Sequence, residues 1–116
     1  MDTTKPTSAI TGYHAHIYFT PESMDAALVL QAILKDKMPH LRYGRVHQGP
    51  VGPHPMGMYQ IAFAVEDFDT LVPYLMLNRS GLNILVHPET GDDLTDHTAH
   101  ALWLGEKLPL NVDMFK

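Results

Sequence analysis

The sequence contains no cysteine and few basic residues, and both shortages narrow what the protein can do. The lack of cysteine excludes disulfides, thiolate metal sites, iron–sulfur clusters and a cysteine nucleophile. Eight Lys and Arg residues against thirteen Asp and Glu residues give a net charge of -5, which argues against nucleic acid and anionic membrane surfaces as partners. Apolar runs are short, and none approaches the roughly 20 residues that span a bilayer. Any metal must therefore be held by histidine and carboxylate, ligands that suit Fe(II), Mn, Ni or catalytic Zn.

The length of the chain, 116 residues, suits one domain. Residues 1–11 are polar and include Pro6, so we expect a flexible N-terminal arm followed by a single domain over residues 12–116. The arm shows neither the charged region nor the apolar region of an export signal. Together with the absence of cysteine, this predicts a cytoplasmic protein.

Apolar periodicity predicts strands that alternate with helices. Thr20 is a good N-cap for the first helix, with Pro21 at the first helical position. Pro73 falls inside the second helix, so we expect that helix to bend or to start late. The predicted strands cover residues 12–19, 40–48, 57–65 and 82–87, the predicted helices cover 20–37 and 68–78, and residues 98–104 are a candidate fifth strand.

The order strand–helix–strand–strand–helix–strand predicts an α+β, ferredoxin-like βαββαβ fold, an antiparallel sheet with two helices on one face. In the usual strand order of this fold, strands one and three are central and strand four lies beside strand one. The end of strand four, at His87, then lies next to His14 and His16 on strand one. Three imidazoles that are far apart in sequence should therefore meet at one corner of the sheet.

The histidines carry the strongest chemical signal in the sequence. His14 and His16 alternate inside the first strand, so both point to one face, where two half-buried imidazoles suggest a divalent metal. A single histidine on a strand is more often a hydrogen-bonded structural residue, and that alternative stays open for each of them. His54 lies in the loop between strands two and three, which should project from the opposite end of the sheet. It must either fold back over the sheet or come from a partner chain.

Three phrases stand out in the sequence: Tyr13-His14-Ala15-His16-Ile17-Tyr18-Phe19, then Val51-Gly52-Pro53-His54-Pro55-Met56, then His87-Pro88-Glu89-Thr90-Gly91 through Asp96-His97 to Ala101-Leu102-Trp103-Leu104-Gly105. In this order they resemble the DOPA 4,5-dioxygenase family of the fungal and bacterial type. The resemblance covers about residues 12–110. The family is associated with a ferredoxin-like fold, non-haem Fe(II) and extradiol cleavage of catechols. In the fungal pigment enzymes this is 4,5-cleavage of L-DOPA to seco-DOPA, which leads to betalamic acid.

The resemblance implies a catechol and O₂ as substrates and an Fe(II) that keeps open positions for both. We expect His14, His16 and His87 to be the metal ligands, with Glu89 as the reserve third ligand. The usual ligand set for such iron is two histidines and one carboxylate. Zn or Ni can replace iron in purified protein, because both bind such sites more tightly.

Ring cleavage also needs an acid/base that takes a proton from the catechol and returns one later, a task that suits a histidine. His97, which follows Asp96, is the first candidate and His54 is the second. Roles within the set of five histidines could be permuted.

An amino-acid substrate needs a counter-charge for its carboxylate. Arg42 and Arg45, on the polar second strand, are the candidates, although solvation at the surface is the other interpretation of each. Tyr59 or Trp103 could form a wall for the aromatic ring.

The histidines lie on the sheet face that the two helices leave open, so another element must cover them. We expect a homodimer whose C-terminal strands help to close the sites. Two alternatives to the dioxygenase stay open: a different histidine-ligated metal hydrolase, and a non-catalytic dimeric α/β module that binds a metal or a small ligand.

Overall fold

Five antiparallel strands form a single sheet in the computed structural model, which describes residues 2–116. The strands run in the spatial order β2-β3-β1-β4-β5. In chain order the elements are β1 (Gly12–Phe19), α1 (Met24–Lys37), β2 (Arg42–Tyr43), β3 (Gly57–Phe63), α2 (Phe68–Asn78), β4 (Ile84–Glu89), α3 (Asp93–His97) and β5 (Leu102–Leu104). Short 3-10 turns cover Thr7–Ala9, Val65–Asp67 and Asp113–Phe115.

The architecture confirms the ferredoxin-like prediction. Strand β1 is central and pairs antiparallel with β3 on one side and with β4 on the other. The short strand β5 extends the sheet beyond β4, which confirms the candidate fifth strand. Because the two neighbours of β1 come from distant parts of the chain, the topology brings residues 12–19 and 84–89 together.

The period-2 pattern of β1 separates the two faces of the sheet. Ala15 and Ile17 point to the helix-covered face and are fully buried in the main core. His16 and Tyr18 point to the opposite face, which α1 and α2 do not cover, and are also buried. The main core lies between the sheet and the inner sides of α1 and α2, which contribute Ala27, Leu30, Leu34, Leu71, Val72 and Leu75.

The first helix begins later than the sequence indicates, at Met24 and not at Thr20. Residues 20–23 form a turn in which the Thr20 N–H donates to Ser23 Oγ (2.9 Å) and the Ser23 N–H donates to Thr20 O (3.1 Å). Thr20 therefore does not cap the helix, because its backbone closes this turn.

The second strand is much shorter than the predicted segment 40–48. After β2, pairing with β3 continues only through the Gly44 N–H to Gln60 O (2.8 Å) and an isolated bridge between His47 and Met58. Most residues after β2 are polar, so longer pairing would bury little apolar surface, and the strand ends early.

The last part of the chain contains two further departures from the predicted boundaries. Strand β4 extends to Glu89 and includes Pro88. Pro88 lies beyond the end of β5, so no strand on that side needs the N–H that proline lacks. The predicted loop over 88–96 contains the helix α3, whose N-cap Asp92 accepts a hydrogen bond from the Thr95 N–H (3.1 Å). No helix within residues 2–116 is long and apolar enough to cross a membrane.

Candidate metal centre

Three histidines meet on the open face of the sheet, on its two adjacent strands β1 and β4. His14 lies directly opposite His87 in the β1–β4 pairing, and His16 lies two residues further along β1. Residues opposite each other, and residues two apart on one strand, point to the same face. The topology of the fold thus produces the predicted convergence of the three side chains.

The spacing of the three imidazoles fits a single metal ion. One ligand atom from each of His14, His16 and His87 can be chosen so that all lie within 4.8 Å of one another. The Nε2 atoms of His16 and His87 are 3.2 Å apart. Two nitrogens at this separation, each about 2.1 Å from one ion, would subtend an angle of about 100°, which suits tetrahedral or octahedral coordination.

Hydrogen bonds at the Nδ1 atoms leave the Nε2 atoms free for a metal. His87 Nδ1 lies 3.0 Å from the Pro88 carbonyl oxygen, which can only accept, so Nδ1 carries the proton and Nε2 has the lone pair. His14 Nδ1 lies 3.1 Å from Glu89 Oε1, which favours the same tautomer. Outer partners of this kind typically orient histidines that bind metals.

Glu89 contacts the Nδ1 side of the histidines, away from the converging Nε2 atoms. Its Oε1 is 3.1 Å from His14 Nδ1 and 3.6 Å from His87 Nδ1. In this geometry the carboxylate contacts His14 from the Nδ1 side and lies outside the group of three possible ligands, so its role as a reserve ligand stays a prediction. The Nδ1 atom of His16 is buried and has no hydrogen-bond partner in the described chain. A buried polar atom of this kind indicates a site built for a further group or water.

Burial keeps the cluster neutral. Desolvation lowers the pKa of His14, lowers that of His16 well below its usual value, and lowers that of His87 to about 4. Neutral imidazoles have the lone pair that metal binding needs. The donor set is therefore three neutral nitrogens held by a rigid sheet, which fits a divalent transition metal.

His54 folds back over the sheet within the same chain and is buried beside His16. The two ring centroids are 4.2 Å apart, and His54 Nδ1 lies 2.6 Å from the Tyr18 hydroxyl. Burial raises the pKa of Tyr18, so its phenol stays protonated and donates to His54 Nδ1. The His54 Nε2 atom then carries the proton of the neutral ring. Desolvation lowers the pKa of His54 to about 4.

His97, the last residue of α3, lies against His87 with a centroid separation of 4.0 Å and an angle of 35° between the ring planes. Its Nδ1 donates to Asp93 O (2.7 Å), which leaves a lone pair on Nε2. The two rings therefore differ in the partner of Nδ1: Tyr18 donates to Nδ1 of His54, whereas Nδ1 of His97 donates to a backbone carbonyl.

The side chain of Asp96 holds the α3 segment in place and forms hydrogen bonds with residues other than His97. The carboxylate is buried and accepts hydrogen bonds from the Thr90 N–H (2.8 Å), the Thr90 hydroxyl (2.6 Å) and His100 Nδ1 (3.1 Å). Burial alone would raise the pKa of Asp96, but the donors from Thr90 and His100 outweigh it and lower the pKa. His100 therefore takes part in holding this segment.

Arg42 lies in the same row of the sheet as two of the clustered histidines. The pairs Arg42–Ala62, Ala62–His14 and His14–His87 follow one another across β2, β3, β1 and β4. Arg42, His14 and Glu89 line a polar cavity of about 440 Å³. Arg42 is exposed and forms no ion pair within residues 2–116, so its charge is available to a ligand.

Two other predicted substrate residues do not join this arrangement. Tyr59 points to the helix-covered face, where it is fully buried and its hydroxyl donates to Ala27 O (2.8 Å). The expectation that Tyr59 forms a wall for the ring is wrong, because the whole sheet lies between it and the histidines. Arg45 is exposed and does not line the cavity beside His14. Trp103 lies on the histidine face and stacks on Tyr18 with a centroid separation of 5.9 Å.

The sequence did not single out two neighbours of the cluster, Tyr18 and Phe115. The period-2 pattern carried a signal for Tyr18, which shares a face with His14 and His16. Nothing in the sequence pointed to Phe115, whose ring lies 4.8 Å from that of His97. Residues of the same chain cover the histidine face, so closing the site does not require a second subunit; the homodimer stays a prediction.

Comparisons with known proteins agree with this geometry. The sequence profile of the Dopa 4,5-dioxygenase family matches residues 13–114. A DOPA 4,5-dioxygenase of Amanita muscaria is 39% identical over 90% of this chain and 50% of its own length. An uncharacterized 21.2 kDa protein of Botryotinia fuckeliana is 35% identical over 94% of this chain and 66% of its own length. The chain thus spans about half to two thirds of these curated relatives.

A solved structure extends the likeness to the whole fold. The crystal structure of a candidate dioxygenase from Nostoc punctiforme PCC 73102 superposes with a TM-score of 0.86. The two chains are 48% identical, and the match covers 95% of each.

Proposed function

Because the chain belongs to the Dopa 4,5-dioxygenase family, we propose that it is an Fe(II)-dependent extradiol dioxygenase that cleaves the ring of a catechol with O₂. L-DOPA is the model substrate, with 4,5-cleavage to seco-DOPA, which leads to betalamic acid. The observation that carries the proposal is the cluster of His14, His16 and His87, with ligand atoms within 4.8 Å of one another. Two further histidines with opposite hydrogen-bonding roles border that cluster.

We propose that the three clustered histidines hold the metal through their Nε2 atoms. Iron bound there would supply the chemistry that brings catechol and O₂ together, provided that its remaining coordination positions stay open. Three protein ligands leave that room. The third imidazole replaces the carboxylate of the usual oxygenase set, and Glu89 acts from outside by holding His14 at 3.1 Å.

The residues around the cluster supply the proton transfers. His97 has a lone pair on Nε2, so it is the base that accepts a proton from a catechol hydroxyl. His54 carries its proton on Nε2, because Tyr18 donates to its Nδ1, so it is the group that donates a hydrogen bond or a proton to oxygen. These two roles follow from the hydrogen bond that the Nδ1 atom of each ring already forms.

Arg42 is the residue proposed to bind a carboxylate on the substrate side chain. It lies two strands from His14 in the same row, at a lateral distance of about 10 Å by the usual strand spacing, and its long side chain can bridge part of that distance. A guanidinium pairs well with a carboxylate. The site thus suits a catechol ring at the histidines with an anionic side chain directed towards β2.

The test is oxygen uptake by protein that has been stripped of metal and reloaded anaerobically with Fe(II), given L-DOPA and then simple catechols. We expect turnover, with about one metal per chain, and loss of both in His16→Ala and His87→Ala. His40→Ala, an exposed histidine beside Asp67 and outside the three-histidine group, is the matched control for metal binding and should retain the bound metal. One bound metal with no turnover on any catechol would contradict the dioxygenase and leave a different metal site.

A further inference from the structure

The two histidines proposed for proton transfer lie outside the rigid sheet. His97 ends a helix of only five residues, and His54 lies in a turn closed by the Val51–His54 bridge. The metal-binding candidates, by contrast, lie on the central strands β1 and β4. The orientation of His54 and His97 must therefore depend on contacts other than sheet pairing.

Residues 105–116, here called the closing segment, run along the histidine face of the sheet. Leu108 and Leu110 pack against the small buried cluster of Tyr18, Met58 and Leu85 on that face. The Asn111 N–H donates to Pro53 O at 2.8 Å, which ties the segment to the residue immediately before His54.

The closing segment also reaches His97 through Phe115. The His97 ring lies between His87, at a centroid distance of 4.0 Å, and Phe115, at 4.8 Å, with interplanar angles of 35° on both sides. The bond from His97 Nδ1 to Asp93 O directs one edge of the ring, and the two neighbouring rings limit its tilt. Because His97 lies outside the sheet, these contacts, and not strand pairing, limit the position of its ring.

We propose that the closing segment positions both proton-transfer histidines, with Phe115 as the positioning residue for His97 and the Asn111–Pro53 bond as the tether for His54. The inference rests on the proposed function for the reaction in which these histidines act, but the positioning itself can be measured without turnover. It separates two parts of the site: the sheet holds the metal-binding histidines, and the closing segment holds the acid/base pair.

The direct test is the NMR signal of the His97 Cε1–H group in metal-free protein, assigned by its loss in His97→Gln. Phe115→Leu removes the aromatic ring while keeping an apolar side chain, so we expect the His97 signal to shift and broaden. Phe115→Tyr keeps the ring and should keep the signal close to its original position. Met114→Ala, an exposed neighbour in the same turn, is the matched control and should leave the signal unchanged.

The tether has its own pair of variants. Asn111→Pro removes the backbone N–H that Pro53 O accepts, whereas Asn111→Ala keeps it. We expect Asn111→Pro to shift the His54 Cε1–H signal and Asn111→Ala to leave it in place. Both variants should bind Zn²⁺ with unchanged stoichiometry, because the metal-binding histidines lie on the sheet.

Turnover provides the functional readout. In Fe(II)-loaded enzyme, Phe115→Leu should lower kcat by about 10-fold or more with little change in KM, since a displacement of about 1 Å in a catalytic group can cost about 100-fold. Phe115→Tyr should recover most of that loss.

A His97 signal that does not respond to Phe115→Leu, or loss of metal binding in that variant, would overturn the positioning role. If the unsubstituted protein turns over no catechol, the dioxygenase proposal fails, and the NMR signals still support or overturn the positioning role.

Discussion

The Nε2 atoms of His16 and His87 lie 3.2 Å apart, although 71 residues separate them in the sequence. Strand pairing produces this contact, because β1 and β4 run side by side with His14 opposite His87. Two neutral imidazoles at this distance share one proton or one metal ion, since two facing lone pairs would repel each other. The candidate metal ligands therefore lie on the central strands of the sheet, and segments outside the sheet supply His54 and His97.

Removing the charge of Glu89 should weaken the metal site without destroying it. In Glu89→Gln, His14 keeps a hydrogen-bond acceptor but loses the carboxylate at 3.1 Å that favours its Nδ1–H tautomer. We expect metal affinity to fall about 10- to 100-fold, the usual effect of losing an outer carboxylate partner. Competition with a chelator measures it, and the exposed Glu66→Gln is the control. A complete loss of metal would instead indicate that Glu89 is itself a ligand.

Acid should destabilise the metal-free protein through its buried histidines. Burial lowers the pKa of His54 and of His87 from 6.5 to about 4, so the unfolded chain takes up protons at a pH where the folded chain does not. The free energy of unfolding should therefore be unaffected by these groups above about pH 7 and fall as the pH drops from 6.5 towards 4. The fall is at most about 3 kcal/mol for each histidine. Urea unfolding across this range measures it, and a stability that rises with acidification would contradict the burial.

Tyr59→Phe should affect stability and leave the chemistry unchanged. The hydroxyl donates to Ala27 O inside the core, on the far side of the sheet from the histidines. Its loss should cost about 1 kcal/mol in the free energy of unfolding. Metal stoichiometry and KM for any catechol should stay at the values of the unsubstituted protein. A raised KM would mean that Tyr59 contacts substrate, contrary to its position.

Substrate selectivity should depend on Arg42 and not on Arg45. Arg42 lines the cavity beside His14, whereas Arg45 is exposed and outside it. Arg42→Gln should raise KM for L-DOPA by about 10-fold, given that a charge-assisted pair contributes about 1.5–3 kcal/mol and is partly solvated here. KM for dopamine, which has no carboxylate, should hardly change. Arg45→Gln is the matched control, and an equal effect of Arg42→Gln on both substrates would exclude a carboxylate contact.

The sequence predicted the sheet and the histidine cluster but not the residues that surround the cluster. Alternation along β1 and the strand order of the fold were enough to bring His14, His16 and His87 together, because both follow from backbone geometry. The alternation along β3 also predicts the buried position of Tyr59, because Tyr59 shares a face with the core residues Ile61 and Phe63.

Loop contacts were beyond sequence reasoning for a physical reason. The positions of His54 and His97 depend on single hydrogen bonds and ring contacts with distant residues, such as Asn111 to Pro53 and Phe115 to His97. No periodicity records such contacts. The same applies to Asp96, whose partners are Thr90 and His100 and not the adjacent His97.

The central claim is that the histidine cluster supports ring cleavage by O₂. The most direct measurement is the mass of the product formed from L-DOPA by Fe(II)-loaded protein, together with the amount of O₂ consumed. The account predicts one O₂ for each catechol and a ring-opened product with the mass of the substrate plus both oxygen atoms, or that mass less one water once seco-DOPA has cyclised to betalamic acid. Both masses should be absent in His87→Ala. A product that has lost two hydrogens and gained no oxygen would show oxidation to a quinone and contradict the dioxygenase.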